Sequence, residues 1–311
     1  MEDKWRRWIL ITAIAPIAWG STYVVTRHLL PPDVPLWGAV IRCLPAGLLV
    51  LLFARRLPRG SWWWRSLLLG VLNVGGFSVL IYIVGQRLPS SLAATLMSTS
   101  AACIMLFAWA LLGQRPRVAA ALGAAVGIVG VVLMLGVGAG PVDPWGIAAS
   151  LGAMVASSFG FVLTSRWGQE VPALAMTSWQ LLAGSVVLVP VALVVEGPPP
   201  QLTPEGLIGF AYVMLIGTAV AYAAWFAGLQ RLPAAAVGLV GLLNPVTGVV
   251  LGVVIAGESF GPAQVVGLAL VLGGVVWGVL PHRRRATRQE SVPDRQPGEA
   301  PEPVARGGMK A

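Results

Sequence analysis

GQRLPSSLAATLMSTSAACIMLFAWALLGQ (Gly85–Gln114) and LQRLPAAAVGLVGLLNPVTGVVLGVVIAGE (Leu229–Glu258) lie 144 positions apart and align without a gap. Both carry QRLP, at Gln86–Pro89 and Gln230–Pro233, and the register then places Gly113 on Gly257, Gly123 on Gly267 and Gly130 on Gly274. The match runs from about Gln86 to Val279. Further upstream the offset becomes 137, where Val34-Pro35 meets Val171-Pro172 and Ala46-Gly47 meets Ala183-Gly184. A chance recurrence of QRLP would not also bring three glycines into register. The chain is written twice.

Its composition says what is repeated. Of 311 residues, 57% are hydrophobic and 11% charged, against about 25% charged in a soluble domain. A bilayer-spanning helix needs about 20 predominantly apolar residues. Ten such runs lie near Trp8–Leu30, Leu36–Phe53, Ser66–Val84, Ser91–Leu112, Val118–Leu135, Trp145–Ser165, Pro172–Val195, Gly206–Leu229, Ala234–Ala256 and Pro262–Leu280. They leave almost no room for a soluble domain. The expected fold is an all-α integral membrane protein. The first run is too long and too poorly flanked for a cleaved signal peptide and is read as helix one. Cys43 and Cys103 both fall inside spans, where ordinary packing rather than a disulfide is expected.

The net charge of +9 is spread unevenly. With the N-terminus inside, one side collects Lys4, Arg6, Arg7, Arg55, Arg56, Arg59, Arg65, Arg115, Arg117, Arg166 and Arg231, and then Arg283, Arg284, Arg285 and Arg288. The other side receives Arg27 and Arg87. This is the positive-inside asymmetry. It predicts a multi-pass protein of a bacterial-type inner membrane with both termini cytoplasmic, and it removes the reason to invoke nucleic acid. The residues after Leu280 are polar and Pro-rich and are expected to stay disordered. The organisation expected is a cytoplasmic N-terminus (1–7), a first five-helix repeat (8–136), a second (144–280) and a tail (281–311). Because five is odd, the second repeat must enter the membrane from the opposite side. Inverted repeats are the architecture of secondary transporters, with substrate bound near midplane at the repeat interface.

WGSTYVVTR at Trp19–Arg27, and the closing run LPAAAVGLVGLLNPVTGVVLGVVIAGESFGPAQVVGLALVLGGV, resemble the EamA-domain members of the drug/metabolite transporter superfamily over roughly residues 8–280. In that family a proline interrupts the fourth helix of each repeat and a Gly-Glu pair ends it. The second half keeps both, as Pro245 and Gly257-Glu258, which the resemblance marks as hinge or gate. The first half departs, with Ala101 and Gln114. The resemblance implies export of amino acids, drugs or other metabolites, with nucleotide sugars carried by related branches.

The residues themselves limit the chemistry. Of the twelve acidic residues, Glu2, Asp3, Asp33, Asp143, Glu170, Glu196 and Glu205 fall in loops or at span edges and four lie in the tail. Only Glu258 ends a helix, and none sits mid-span, so a buried-carboxylate proton relay is not displayed. There is no P-loop, no HExxH and no paired Asp. No enzyme activity, metal or cofactor is expected.

Arg42 is the one charge well inside a span. It either snorkels to the headgroups or meets a substrate carboxylate in a cavity. Trp19 and Tyr23 share a stripe of helix one and offer aromatic walls with polar tips. Ser78 and Tyr82 lie on one face of helix three, Tyr222 on helix eight, Ser157 in helix six, and Trp179 and Gln180 in helix seven. Each hydroxyl alone would bond its own helix; gathered, they would make a mixed cavity. At Asn244-Pro245 the proline frees a backbone carbonyl and the amide supplies donor and acceptor. The Trp62-Trp63-Trp64-Arg65 run is better explained as an interfacial anchor than as a binding cage. His28 and Glu258 are helix-end residues.

The reading is a ten-helix secondary transporter exporting a small metabolite such as an amino acid by alternating access. Its partners are the bilayer and a small-molecule substrate; a homodimer is allowed and not required. The alternatives are a drug or nucleotide-sugar carrier, or a non-transporting scaffold or receptor, which would not need polar faces at midplane.

Overall fold

The computed structural model describes residues 2–113, 118–136, 143–168, 171–232, 237, 240–241, 243–257 and 261–279. The expected gate residue Glu258 and the tail 281–311 lie outside them. The described residues form ten helical segments in two sets of five: α1 (Glu2–Leu29), α2 (Pro35–Ala54), α3 (Trp62–Arg87), α4 (Ser90–Ser98 and Ser100–Leu112), α5 (Val118–Gly136), then α6 (Pro144–Trp167), α7 (Ala173–Val195), α8 (Pro204–Leu229), α9 (Leu243–Val254) and α10 (Pro262–Val279). Seven are long and apolar enough to cross a bilayer; Ala121–Gly130, Leu243–Val254 and Pro262–Gly274 are shorter apolar stretches.

Local chemistry sets the helix ends. Pro35, Pro144 and Pro204 occupy first-turn positions, where a missing N–H costs nothing. Asp143 caps α6 by accepting from the Trp145 and Gly146 amides, and Thr203 caps α8 through the Gly206 amide. Gly113 and Gly257 close α4 and follow α9 at φ 68° and 64°, the left-handed region that a side chain disfavours. These two glycines are 144 positions apart.

QRLP is the clamp that closes each repeat. Gln86 Nε2 donates to the Thr26 and Leu30 carbonyls at the end of α1, at 2.8 and 3.3 Å. Gln230 Nε2 donates to Gly168 and Val171 at the end of α6, at 3.1 and 2.7 Å. Each glutamine thus satisfies carbonyls that a helix end leaves orphaned. The arginines reach sideways: Arg87 pairs with Asp143 at 2.7 Å, and Arg231 lies 4.9 Å from the Trp8 ring. That hydrogen bond from Arg87, aided by the cap amides, holds the Asp143 carboxyl below its ordinary range.

These clamps fix the topology. Arg231 meets the start of α1, whereas Gln86 meets its end, so the two QRLP corners lie on opposite faces. The face where α1 begins is called proximal here and the other distal. α6 starts on the distal face beside Arg87 and ends on the proximal face beside Gln230. The second repeat is inverted, as its odd helix number requires.

Glycines let the repeats approach closely. A Cβ on Gly70 would lie 2.7 Å from the Gln180 carbonyl, and one on Gly184 2.6 Å from the Gly70 carbonyl, so α3 and α7 touch backbone to backbone. α2 lies against the same helix, with Gly47 facing Leu181 and Leu182. In α5 and α10, Gly130 faces the Gly267 carbonyl and Gly274 the Gly123 carbonyl, which makes those glycine-rich faces a packing seam. α2 and α7 are also clasped at both ends. Trp37 Nε1 donates to the Gly197 carbonyl at 2.9 Å, and Trp179 Nε1 to the Arg56 carbonyl at 2.7 Å. Glu196 accepts from the Leu36 and Trp37 amides at the start of α2, at 2.7 and 2.8 Å.

Candidate functional site

α3 and α8 each change helix type partway along. Val71–Gly75 and Leu215–Val220 are π-helical, and they begin 144 positions apart. One residue too many per turn offsets the hydrogen-bond ladder and leaves backbone groups to find other partners. Side chains from the opposite repeat take them up. The Gly217 carbonyl accepts from Trp19 Nε1 at 3.1 Å and from Arg42 Nη2 at 3.3 Å. The Asn73 carbonyl accepts from the Tyr222 hydroxyl at 2.7 Å. The register thus extends upstream of Gln86 through α3, and Asn73 is the counterpart of Gly217.

The same two turns organise the polar side chains. Arg42 Nε donates to Thr218 Oγ1 at 3.0 Å, and Thr218 Oγ1 donates back to the Val213 carbonyl at 2.8 Å. Arg42 is only 3% exposed, which rules out the snorkelling reading. Across the pseudo-symmetry, Asn73 Nδ2 donates to Gln180 Oε1 at 2.8 Å and to Thr164 Oγ1 at 3.0 Å. Tyr222 does for the Asn73 carbonyl what Arg42 and Trp19 do for that of Gly217, while Gln180 accepts from the Asn73 side chain. One half of the site is charged and the other is neutral.

Aromatic rings wall the charged half. Trp19 packs edge-on to Tyr222 at 5.4 Å and against Trp225 at 5.2 Å between centroids, and Phe161 backs Trp225 at 6.0 Å. Tyr23 lies beside the Asn244 side chain and within electrostatic reach of Arg42. Among the described residues two buried atoms of this half have no hydrogen-bond partner, Trp225 Nε1 and Asn244 Oδ1, and two of the neutral half likewise, Asn73 Oδ1 and Gln180 Nε2. An orphaned donor and an orphaned acceptor beside a guanidinium suit a ligand carrying an anionic group and an N–H. A cleft of about 480 Å³ opens between α1, α8 and α9, lined by Ser21, Val24, His28, Tyr212, Leu251 and Ile255. Ser21 lies in the same stretch of α1 as Trp19 and Tyr23, and it bonds Tyr212 at 2.7 Å.

The structure brings Trp19, Tyr23, Arg42, Tyr222 and Asn244 into this cluster and ties Gln180 to it through Asn73 and Tyr222. Ser78 joins at one remove, 3.3 Å from the thiol of Cys43, which itself feels Arg42. Three expected members stand apart. Ser157 bonds back to the Met154 carbonyl at 3.3 Å. Tyr82 donates to the Pro31 carbonyl near the distal face, its ring filling the space that Gly38 leaves empty. Trp179 packs on Trp62 at 5.7 Å toward the proximal end. It lies next to Gln180 in sequence, but a helix points neighbouring side chains in different directions.

Pro245 is buried in α9. In the first repeat the helix breaks at Thr99, with no proline present. Thr99 Oγ1 takes the Leu96 carbonyl at 2.7 Å. In the Trp62–Arg65 run Trp63 and Trp64 are exposed, and the Arg65 guanidinium lies 5.3–5.8 Å from the rings of Trp62, Trp64 and Trp167.

Asn73, Thr164 and Gly217 were not foreseen. A mid-span asparagine is expensive in hydrocarbon and could have flagged Asn73. Gly217 acts through its backbone and carries no side-chain signal.

The EamA-like transporter family model matches residues 6–136 and again 144–280. The chain belongs to that family. It is therefore a multi-pass membrane transporter and not an enzyme. Among its relatives, Protein PecM of Dickeya dadantii (strain 3937) is 34% identical over 264 residues, covering 84% of this chain and 89% of that one. An uncharacterized inner membrane transporter, YedA, of Escherichia coli (strain K12) is 28% identical over 267 residues, covering 84% and 86%. A solved crystal structure shares the fold at a TM-score of 0.64 with 21% identity, covering 88% of this chain and 96% of that one.

Proposed function

We propose that this transporter exports small amphiphilic carboxylates such as amino acids, by alternating access, with the proximal face in the cytoplasm. The orientation follows from charge: Arg55, Arg56, Arg59, Arg65, Arg166 and Arg231 belong to the proximal face, Arg27 and Arg87 to the distal one. The relative named as an inner membrane transporter supports the same membrane for this chain.

The observation that carries the reading is Arg42. A guanidinium buried to 3% exposure, held by one backbone carbonyl and one hydroxyl, has no carboxylate partner among the described residues. Such a charge is costly in a membrane unless it serves a bound partner. The Trp19, Tyr222 and Trp225 rings supply the apolar surface for the rest of the substrate. The two repeats meet at this cluster, so rocking one against the other would expose it to each face in turn.

The test is a metabolite comparison of the medium from over-expressing and deletion cells. A small carboxylate should accumulate with the first and fall with the second. Indistinguishable media would overturn the export reading.

A further inference from the structure

We infer that within the carboxylate class the site selects net anions, such as acidic or N-acylated amino acids, over zwitterions and cations, and that export is electrogenic, one negative charge leaving per cycle with the membrane potential as its driving force. This rests on the Arg42 cluster being the substrate site.

The argument is one of charge balance. Arg42 is a fixed positive charge, since a guanidinium holds its proton on burial more firmly than an ammonium does. The groups within its reach are Tyr23, Cys43, Thr218 and Tyr222, all neutral. The carboxylates whose side chains are described all lie at distal helix ends: Asp33 in the turn after α1, Asp143 paired with Arg87, Glu196 on the α2 amides, and Glu205 in the first turn of α8. A monoanion would leave the loaded site neutral. A zwitterion would leave it positive, with an ammonium near a guanidinium. A cation would add charge to charge.

The cycle follows. The loaded carrier turns outward with Arg42 neutralised by the substrate, so that step moves no net charge. The empty carrier returns with the guanidinium bare, and a negative cytoplasm draws it back. The sum is one negative charge outward, with no proton bound or released. The lack of any mid-span carboxylate among the described residues is what such a carrier would show, because the gradient that powers it acts on Arg42 itself.

Three indoles that differ in charge test this: N-acetyl-L-tryptophan (anion), L-tryptophan (zwitterion) and tryptamine (cation), loaded into proteoliposomes with a potassium-clamped potential. N-acetyl-L-tryptophan should move fastest, carry current, and reach a gradient of about fifty-fold per 100 mV, equivalent to about 2.3 kcal/mol. Collapsing a pH gradient should change nothing. Arg42→Gln should lose the preference and the current, and Arg42→Lys should keep both at a lower rate. Equal movement of L-tryptophan without current would overturn the inference while leaving the substrate site standing. Movement of none of the three, with no competition against the metabolite found in the medium, would overturn the site reading itself.

Discussion

The carbonyls of Asn73 and Gly217, 144 positions apart, each leave their helix at a π-turn and accept a side chain from the other repeat. The internal symmetry of the chain is thus a symmetry of backbone acceptors. What differs is the donor set: Tyr222 on one side, and Trp19 with Arg42 on the other. The asymmetry that could select a substrate is laid over a duplicated scaffold.

Reporter fusions check the orientation that this symmetry requires. Fusions after Leu57, Arg115, Arg166 and Arg231 should read cytoplasmic, and those near Pro89, Val142 and Pro199 external. If Pro89 and Arg231 report the same side, the repeats are not inverted.

The two glutamine clamps should be worth similar amounts. Gln86→Leu and Gln230→Leu each leave two carbonyls unpaired, at about 1–3 kcal/mol apiece. Thermal unfolding of the purified protein should show both losses. The clamps sit on opposite faces, so the double variant should lose about their sum. A neutral effect at either site would remove the clamp from the account.

Gly160 leaves the space that the Asn73 side chain occupies. Gly160→Ala should therefore push Asn73 off Gln180 and Thr164, destabilising by about 1–3 kcal/mol and slowing transport. Adding Asn73→Ala should recover part of the stability that Gly160→Ala removes. Strictly additive losses would show that the two do not touch.

Asn244→Ala should abolish most export while leaving membrane expression intact, because its Oδ1 has no partner among the described residues and the contact it gives up is the one with Tyr23. Normal export by this variant would reduce Asn244-Pro245 to a feature of helix packing.

Much of this was legible in the letters. Hydropathy gave the spans, and QRLP and its glycines gave the duplication. Trp19, Tyr23, Arg42, Tyr222 and Asn244 were visible as polar or aromatic residues at helical spacing. The π-turns were not, because Asn73 and Thr218 mark polar positions in VLNVG and LIGTAV but not an inserted residue, whose effect is carried by a carbonyl. The break at Thr99 escaped for a related reason: a threonine hydroxyl there bonds the carbonyl of Leu96, at a place where only a proline would have announced a break. Trp179 was visible as an indole near a span end, where it serves equally well as clasp or as cavity wall, and its sequence position did not tell the two apart.

The most direct measurement is the export rate of Arg42→Gln, set against wild type at matched membrane abundance for the metabolite identified in the medium. Truncating one partner of a buried charge pair costs about 2–5 kcal/mol, so export should fall by at least about thirty-fold, with Arg42→Lys retaining part of it. A folded Arg42→Gln protein exporting at the wild-type rate would contradict the claim that substrate meets the protein at this arginine.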